Sequence, residues 1–173
     1  MRTITALLGV FVTIGLLTGC FEKPQTQEVL KDYPVDTMEG LVAPAEGASV
    51  DGQVSADGQG SLRILVKKPR TIKLYETGDL DAETCRLIYE ASVRTRDVVG
   101  KVYLEMMCVF KGKGEYFSRG LQDAADGSTD WRPMRTVFFL KRGENPDNVL
   151  LNLVVNGTGT VWIDDVKLVK THL

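Results

Sequence analysis

From Ser61 onward, apolar residues recur in short runs, largely at every second position, between clusters of Gly, Pro, Asp and Asn. Alternation at a period of two marks half-buried strands, because successive side chains leave opposite faces of a pleat. The pattern predicts strands near 61–67, 70–75, 84–95, 101–110, 115–120, 134–141, 149–155 and 160–169. None of these segments carries a helical period. Short strands at this spacing predict a sandwich or jelly roll rather than a βαβ fold. The stretch from Lys111 to Trp131 is too long for one structureless loop, so Glu115–Gly120 is expected to pair as a strand.

Two hairpins are expected. On 84–95, Leu87, Tyr89, Ala91 and Val93 share one face; on 101–110, Val102, Leu104, Met106 and Cys108 do. A hairpin joining these segments would turn both rows to the core. With Thr95 opposite Val102, Arg94 falls opposite Tyr103, and Ser92 opposite Glu105. The outer face then carries Glu90, Ser92 and Arg94 beside Tyr103, Glu105 and Met107. The Asn156-Gly157 pair predicts a second hairpin, between 149–155 and 160–169.

The N-terminal segment follows another pattern. Arg2 precedes an uncharged apolar stretch, 6–17, which ends in Leu17-Thr18-Gly19-Cys20. The stretch is short for a membrane span and has the layout of a secretory signal. The tetrapeptide resembles the lipobox of bacterial lipoproteins. The resemblance implies a signal peptide over 1–19, cleavage before Cys20, and diacylglyceryl and palmitate-type acylation of Cys20. More than one acyl chain anchors stably in a lipid bilayer. Phe21, where an Asp would signal inner-membrane retention, implies the outer membrane in a Gram-negative cell. Residues 20–45, with Pro24, Pro34 and Pro44, read as a tether with an opening strand around 35–42. Residues 46–52 and 57–60 are turn chemistry. The domain is expected over 46–173.

Composition narrows the chemistry. The chain of 173 residues has 21 Lys+Arg against 23 Asp+Glu, a formal net charge of -2. That balance argues against a nucleic-acid partner. The lone histidine, His172, stands next to last, which disfavours His-activated nucleophiles and His-ligated zinc. Cysteines at 20, 85 and 108 fit no zinc ribbon. Cys85 and Cys108 are expected as buried thiols, too far apart along the expected hairpin for a bridge. Glu90 and Glu105 would be the one carboxylate pair on a shared face, an arrangement common on sheets without catalysis. No enzyme is expected.

Taken together, residues 48 to 170 resemble the galactose-binding-like jelly roll of carbohydrate-binding modules. The likeness rests on Gly60-Ser61-Leu62-Arg63-Ile64, Leu87-Ile88-Tyr89-Glu90-Ala91, Asp130-Trp131, and Gly159-Thr160-Val161-Trp162-Ile163-Asp164-Asp165-Val166-Lys167-Leu168. It implies an all-β, jelly-roll β-sandwich that binds a ligand without transforming it. In sugar-binding members an aromatic ring stacks on the sugar while polar groups bond its hydroxyls. Arg94, Tyr103 and Glu105 are the candidate set, with Tyr116 as a platform at a loop edge and Phe117 on the opposite face. Trp131 and Trp162 are expected to pack. The resemblance also implies a structural calcium held by Asp164 and Asp165, with Asp36 or Glu39 as the earlier carboxylate. Asp123, Asp126 and Asp130 are expected in a solvated loop, as are Lys67, Lys68, Arg70 and Lys73. The expected function is that of an envelope lipoprotein whose jelly roll binds a glycan. The alternative is an assembly subunit that holds an envelope protein partner at the membrane.

Overall fold

The computed structural model describes residues 26–42 and 46–173; Cys20 and the signal segment lie outside them. The strands are β1 Gln27–Tyr33, β2 Ala48–Asp51, β3 Ser61–Val66, β4 Arg70–Gly78, β5 Cys85–Phe110, β6 Gly114–Arg119, β7 Ala125–Leu140 and β8 Asn148–His172. A 3-10 turn, Leu121–Asp123, joins β6 to β7. All pairings are antiparallel, and the strands form one continuous sheet.

β5 and β8 are the spine. They pair from Cys85↔His172 at one end to Val109↔Asn148 at the other. A straight strand would put Cys85 about 75 Å from Cys108. Instead the Cys85 thiol acts electrostatically on Cys108, and both ends of β5 join one hydrophobic cluster. The sheet therefore doubles over into two layers. The first contains β7, the N-terminal half of β5, the C-terminal half of β8, β1, β3 and β2. The second contains β6, the other halves of β5 and β8, and β4.

Both expected hairpins are corrected by this pairing. Segments 85–95 and 101–110 do not pair with each other; each pairs with a different half of β8. Segments 148–155 and 160–172 are likewise one strand. Turn chemistry at Asp97–Gly100 and Asn156–Gly159 makes a bend, not a reversal. The register shifts between Arg96 and Val99, Asp97 has φ 55° and Gly100 has φ 119°. Such left-handed residues are what a bulge needs to turn a strand. The faces were nevertheless predicted correctly: Leu87, Tyr89, Ala91, Val93, Val102, Leu104, Met106 and Cys108 are all buried in the core.

The tether reading of 20–45 and the domain start at 46 are corrected too. β1 pairs with the end of β8, and the Tyr33 ring stacks on Tyr75 with centroids 3.8 Å apart. Val35 is buried in the core. The folded domain thus includes Gln27–Tyr33 and the turns that follow, and the expected strand at 35–42 is absent. β2 occupies part of a predicted turn, and Asp126 and Asp130 lie within β7 rather than in a loop. Lys67 and Lys68 are exposed in a turn, whereas Arg70 and Lys73 belong to β4. Cys85 and Cys108 are free, buried thiols, and burial pushes Cys108 up to about 12.

Candidate ligand-binding face and carboxylate cluster

The outer face of the second layer is built by strand parity. On β5, Tyr103, Glu105 and Met107 leave the face opposite Leu104 and Met106. The ladder sets Glu105 beside Arg119 of β6 and Asn152 of β8, and Met107 beside Phe117 and Leu150. Tyr103 pairs with Val154.

Glu105 is the hub of this face. Arg119 Nε donates to its Oε2 at 2.7 Å, and Asn152 Nδ2 donates to its Oε1 at 3.3 Å. The Glu105 side chain is only 12% exposed, against 44% for Arg119. Such charge-assisted bonds fix both groups in one orientation. The bond to Glu105 holds the Arg119 guanidinium above its ordinary pKa, with a smaller contribution from nearby Tyr103. The same guanidinium lies 4.2 Å from the centre of the Phe117 ring, which is 55% exposed. Asn152 is 3% exposed, and its Oδ1 has no hydrogen-bond partner among the described residues. A buried acceptor left unpaired costs about 1–3 kcal/mol. Tyr103 and Phe117 thus flank a fixed carboxylate and a guanidinium.

Of the residues singled out in the sequence, Tyr103 and Glu105 share this face. Arg94 does not. It lies on the first layer, paired with Trp162 and 3.9 Å from Asp130. Arg119 supplies the guanidinium that Arg94 was expected to supply. Tyr116 is opposite Cys108, packs edge-on against Phe110 and donates from its hydroxyl to the Lys113 carbonyl. Phe117, not Tyr116, is the β6 aromatic beside Met107. Glu90 belongs to the first layer, so it makes no pair with Glu105. Cross-strand partners such as Arg119 and Asn152 left no signal in the sequence, because parity orders residues only within a strand.

The paired aspartates of β8 separate. Asp164 is fully buried, and carboxylate oxygens of Asp36, Asp57 and Asp164 all lie within 4.8 Å of one another. The Ala56 and Asp165 amides donate to Asp164 at 2.7 and 2.9 Å. Burial, outweighing those bonds, pushes the Asp164 carboxyl above its ordinary range. Asp36 Oδ1 is buried with no partner among the described residues. Asp165, with φ 51°, turns away and lines an open cleft of about 540 Å³ with Glu90, Ser92 and Lys167. Asp36, not Glu39, lies beside Asp164, and Asp57 was hidden in turn chemistry. Trp162 is buried at 4% exposure, and Trp131 is half-buried.

No family model matches the sequence, and no curated protein matches it. Solved structures do. The chain is similar to the CBM22-1 xylan-binding domain of Paenibacillus barcinonensis Xyn10C, with 13% identity over 87% of this chain and 99% of that one, at a TM-score of 0.61. It is also similar to the family 30 carbohydrate-binding module of the Clostridium thermocellum cellulosomal cellulase Cel9D-Cel44B. There the identity is 18% over 83% and 96% of the two chains, at a TM-score of 0.54. A family 22 xylan-binding domain matches at 13% identity over 82% and 94%, with a TM-score of 0.54. At these identities the likeness shows the fold. The chain is an all-β jelly-roll sandwich, as the strand pattern predicted.

Proposed function

We propose that the protein is a non-catalytic, carbohydrate-binding envelope lipoprotein, anchored in the bilayer through acylated Cys20. The observation that carries the binding role is the pair of rings, Tyr103 and Phe117, set beside the fixed Glu105–Arg119 ion pair on one outer sheet face. Rings of this kind stack on the apolar face of a sugar, while the carboxylate and guanidinium bond its hydroxyls. The structural neighbours include xylan-binding domains, which supports a glycan as the ligand class. A glycan array probed with the full-length chain tests this reading. Tyr103→Ala and Phe117→Ala should each weaken binding by about tenfold or more, with the melting temperature nearly unchanged. No glycan bound, or binding indifferent to both changes, overturns it.

The same reading includes a structural calcium. Asp36, Asp57 and Asp164 would hold it, and the unpartnered Asp36 oxygen and the unfavourable burial of Asp164 both fit a hard cation. Backbone carbonyls would complete an oxygen shell. When bound, the ion would neutralise charge and tie β8 to the turns at Asp36 and Asp57.

A second reading, the assembly subunit, is favoured by an apolar row on the outer face of the first layer. Val29, Val169, Ile88 and Val137 are successive partners across β1, β8, β5 and β7. Val29 is 54% exposed, and Phe139 on the same face of β7 is 61% exposed. Cross-linking in intact cells should capture a stoichiometric protein partner lost on Val29→Lys if this reading holds.

A further inference from the structure

Three arginines surround one tryptophan on the first layer, away from the face proposed above. Trp162 of β8 pairs with Arg63 of β3 on one side and Arg94 of β5 on the other. Arg96 follows Arg94 by two residues. The guanidinium carbons of Arg63, Arg94 and Arg96 lie 5.9, 5.9 and 5.0 Å from the centre of the indole ring. Cation–π attraction holds all three over one ring, although like charges repel.

Their own carboxylates neutralise them only in part: Asp51 acts electrostatically on Arg63, and Asp97 and Asp130 stand in the cleft beside Arg94 and Arg96. Asp51 accepts the Trp162 Nε1–H at 2.9 Å and the Gln53 and Val54 amides at 3.1 and 3.2 Å. Asp130 meets Arg94 only at 3.9 Å and is 87% exposed, a contact of little energetic weight. Arg96 is exposed and has no carboxylate within ion-pair distance among the described residues. Beside it opens a cleft of about 610 Å³, lined by Arg94, Arg96, Asp97, Ser128, Asp130 and the Trp162 edge. Planar guanidinium forks match a carboxylate in a bidentate way, and a fixed pair of them selects it. The cleft is of the size that holds a small ligand, far larger than a simple anion needs, and hydroxyls beside the arginines suit a polyol.

We infer that the cleft beside Arg94 and Arg96 is a second binding site, for the carboxylate of a uronic acid residue in an acidic polysaccharide. The buried indole is its scaffold, not its stacking platform. Phosphate or sulfate would offer the same oxyanion chemistry, so the test must separate the sources.

Titration of the full-length chain in detergent with oligogalacturonate, its methyl ester, inorganic phosphate and glycerol phosphate, a water-soluble phospholipid headgroup, does so. The acidic oligosaccharide should bind and the neutral ester should not. Raising the salt should weaken binding, because the contacts are exposed charges. Arg94→Gln and Arg96→Gln should each weaken it by about tenfold or more. Arg96, the most open of the three, keeps the test valid if Arg94→Gln fails to fold. Tyr103→Ala should leave this binding intact, so failure of the first face and failure of this one are distinguishable. No binding of oligogalacturonate, binding unchanged by both arginine variants, or equal affinity for phosphate or glycerol phosphate overturns the inference.

Discussion

Gly100 of β5 and Gly157 of β8 are partners in the ladder where the sheet doubles over, and neither has room for a side chain. A Cβ on Gly157 would stand against the Val99 carbonyl oxygen, and one on Gly100 would come 2.8 Å from the Gly157 Cα. Two backbones approach there as closely as they can only because both residues are glycine.

Gly157→Ala is therefore expected to destabilise the fold. The obstructing atoms are backbone, so relief requires the bend itself to move. The cost should be about 2 kcal/mol or more, and the melting temperature should fall by roughly 5 °C or more. Gly112→Ala, at a turn with open space around the glycine, should cost less, chiefly from its φ of 74°. Thermal melts of the two variants test the difference.

The hydrogen bond from Trp162 holds the Asp51 carboxyl below its ordinary value, helped by the Gln53 amide. The folded state thus favours the ionised form more than the unfolded state does. The resulting stability is present above the unfolded pKa and is lost as pH falls through the folded one. Asp51→Asn keeps an acceptor for the indole but removes the proton-linked part. Denaturant melts between neutral and acid pH should show a shallower acid loss for the variant than for the wild type.

Calcium should raise the melting temperature of the full-length chain, and a chelator should reverse the gain, since a ligand bound only by the native state stabilises it. Asp164→Asn should abolish this response. In chelator the same change should be neutral or stabilising, because it removes a buried carboxylate that no cationic side chain among the described residues offsets. A calcium response that survives Asp164→Asn would place the ion elsewhere.

Cys20→Ser removes the thiol that the lipobox reading acylates. The wild type should partition with membranes and resist a high-salt wash. The variant should be released as a soluble protein or persist as an uncleaved precursor. Fractionation with acyl-chain labelling measures both, and a cleaved variant that still pellets with lipid vesicles would contradict the anchor.

How far the sequence reached depended on whether the information was local. Leu87 to Val93 and Val102 to Cys108 show their core faces by alternation alone, which needs no knowledge of partners. The connection between them was misread because a bulge and a hairpin turn demand the same left-handed residues. Asp97, Gly100 and Gly159 satisfy either. β1 was invisible for a different reason. All of its positions are exposed or half-buried, so Gln27–Tyr33 carries little apolar alternation. At the candidate face, Tyr103 and Glu105 stayed together because they sit two apart on one strand. Arg94 joined them only through an assumed register, and Arg119 through a real one that no local signal announces. Asp36 could be suspected beside Asp164, but Asp57 serves equally well as a turn residue.

The place of β8 in the chain also has a consequence for the order of events in time. It is the last strand among the described elements, and β1, β3, β4 and β5 all hydrogen-bond to it. A growing or translocating polypeptide can pair β2 with β3 and β5 with β6 and β7, but cannot complete either layer until Asn148–His172 has emerged. Folding should then be a single late, slow step dominated by distant contacts. A chain cut short before Asn148 would be left with strands that have lost their common partner, not with half a sandwich.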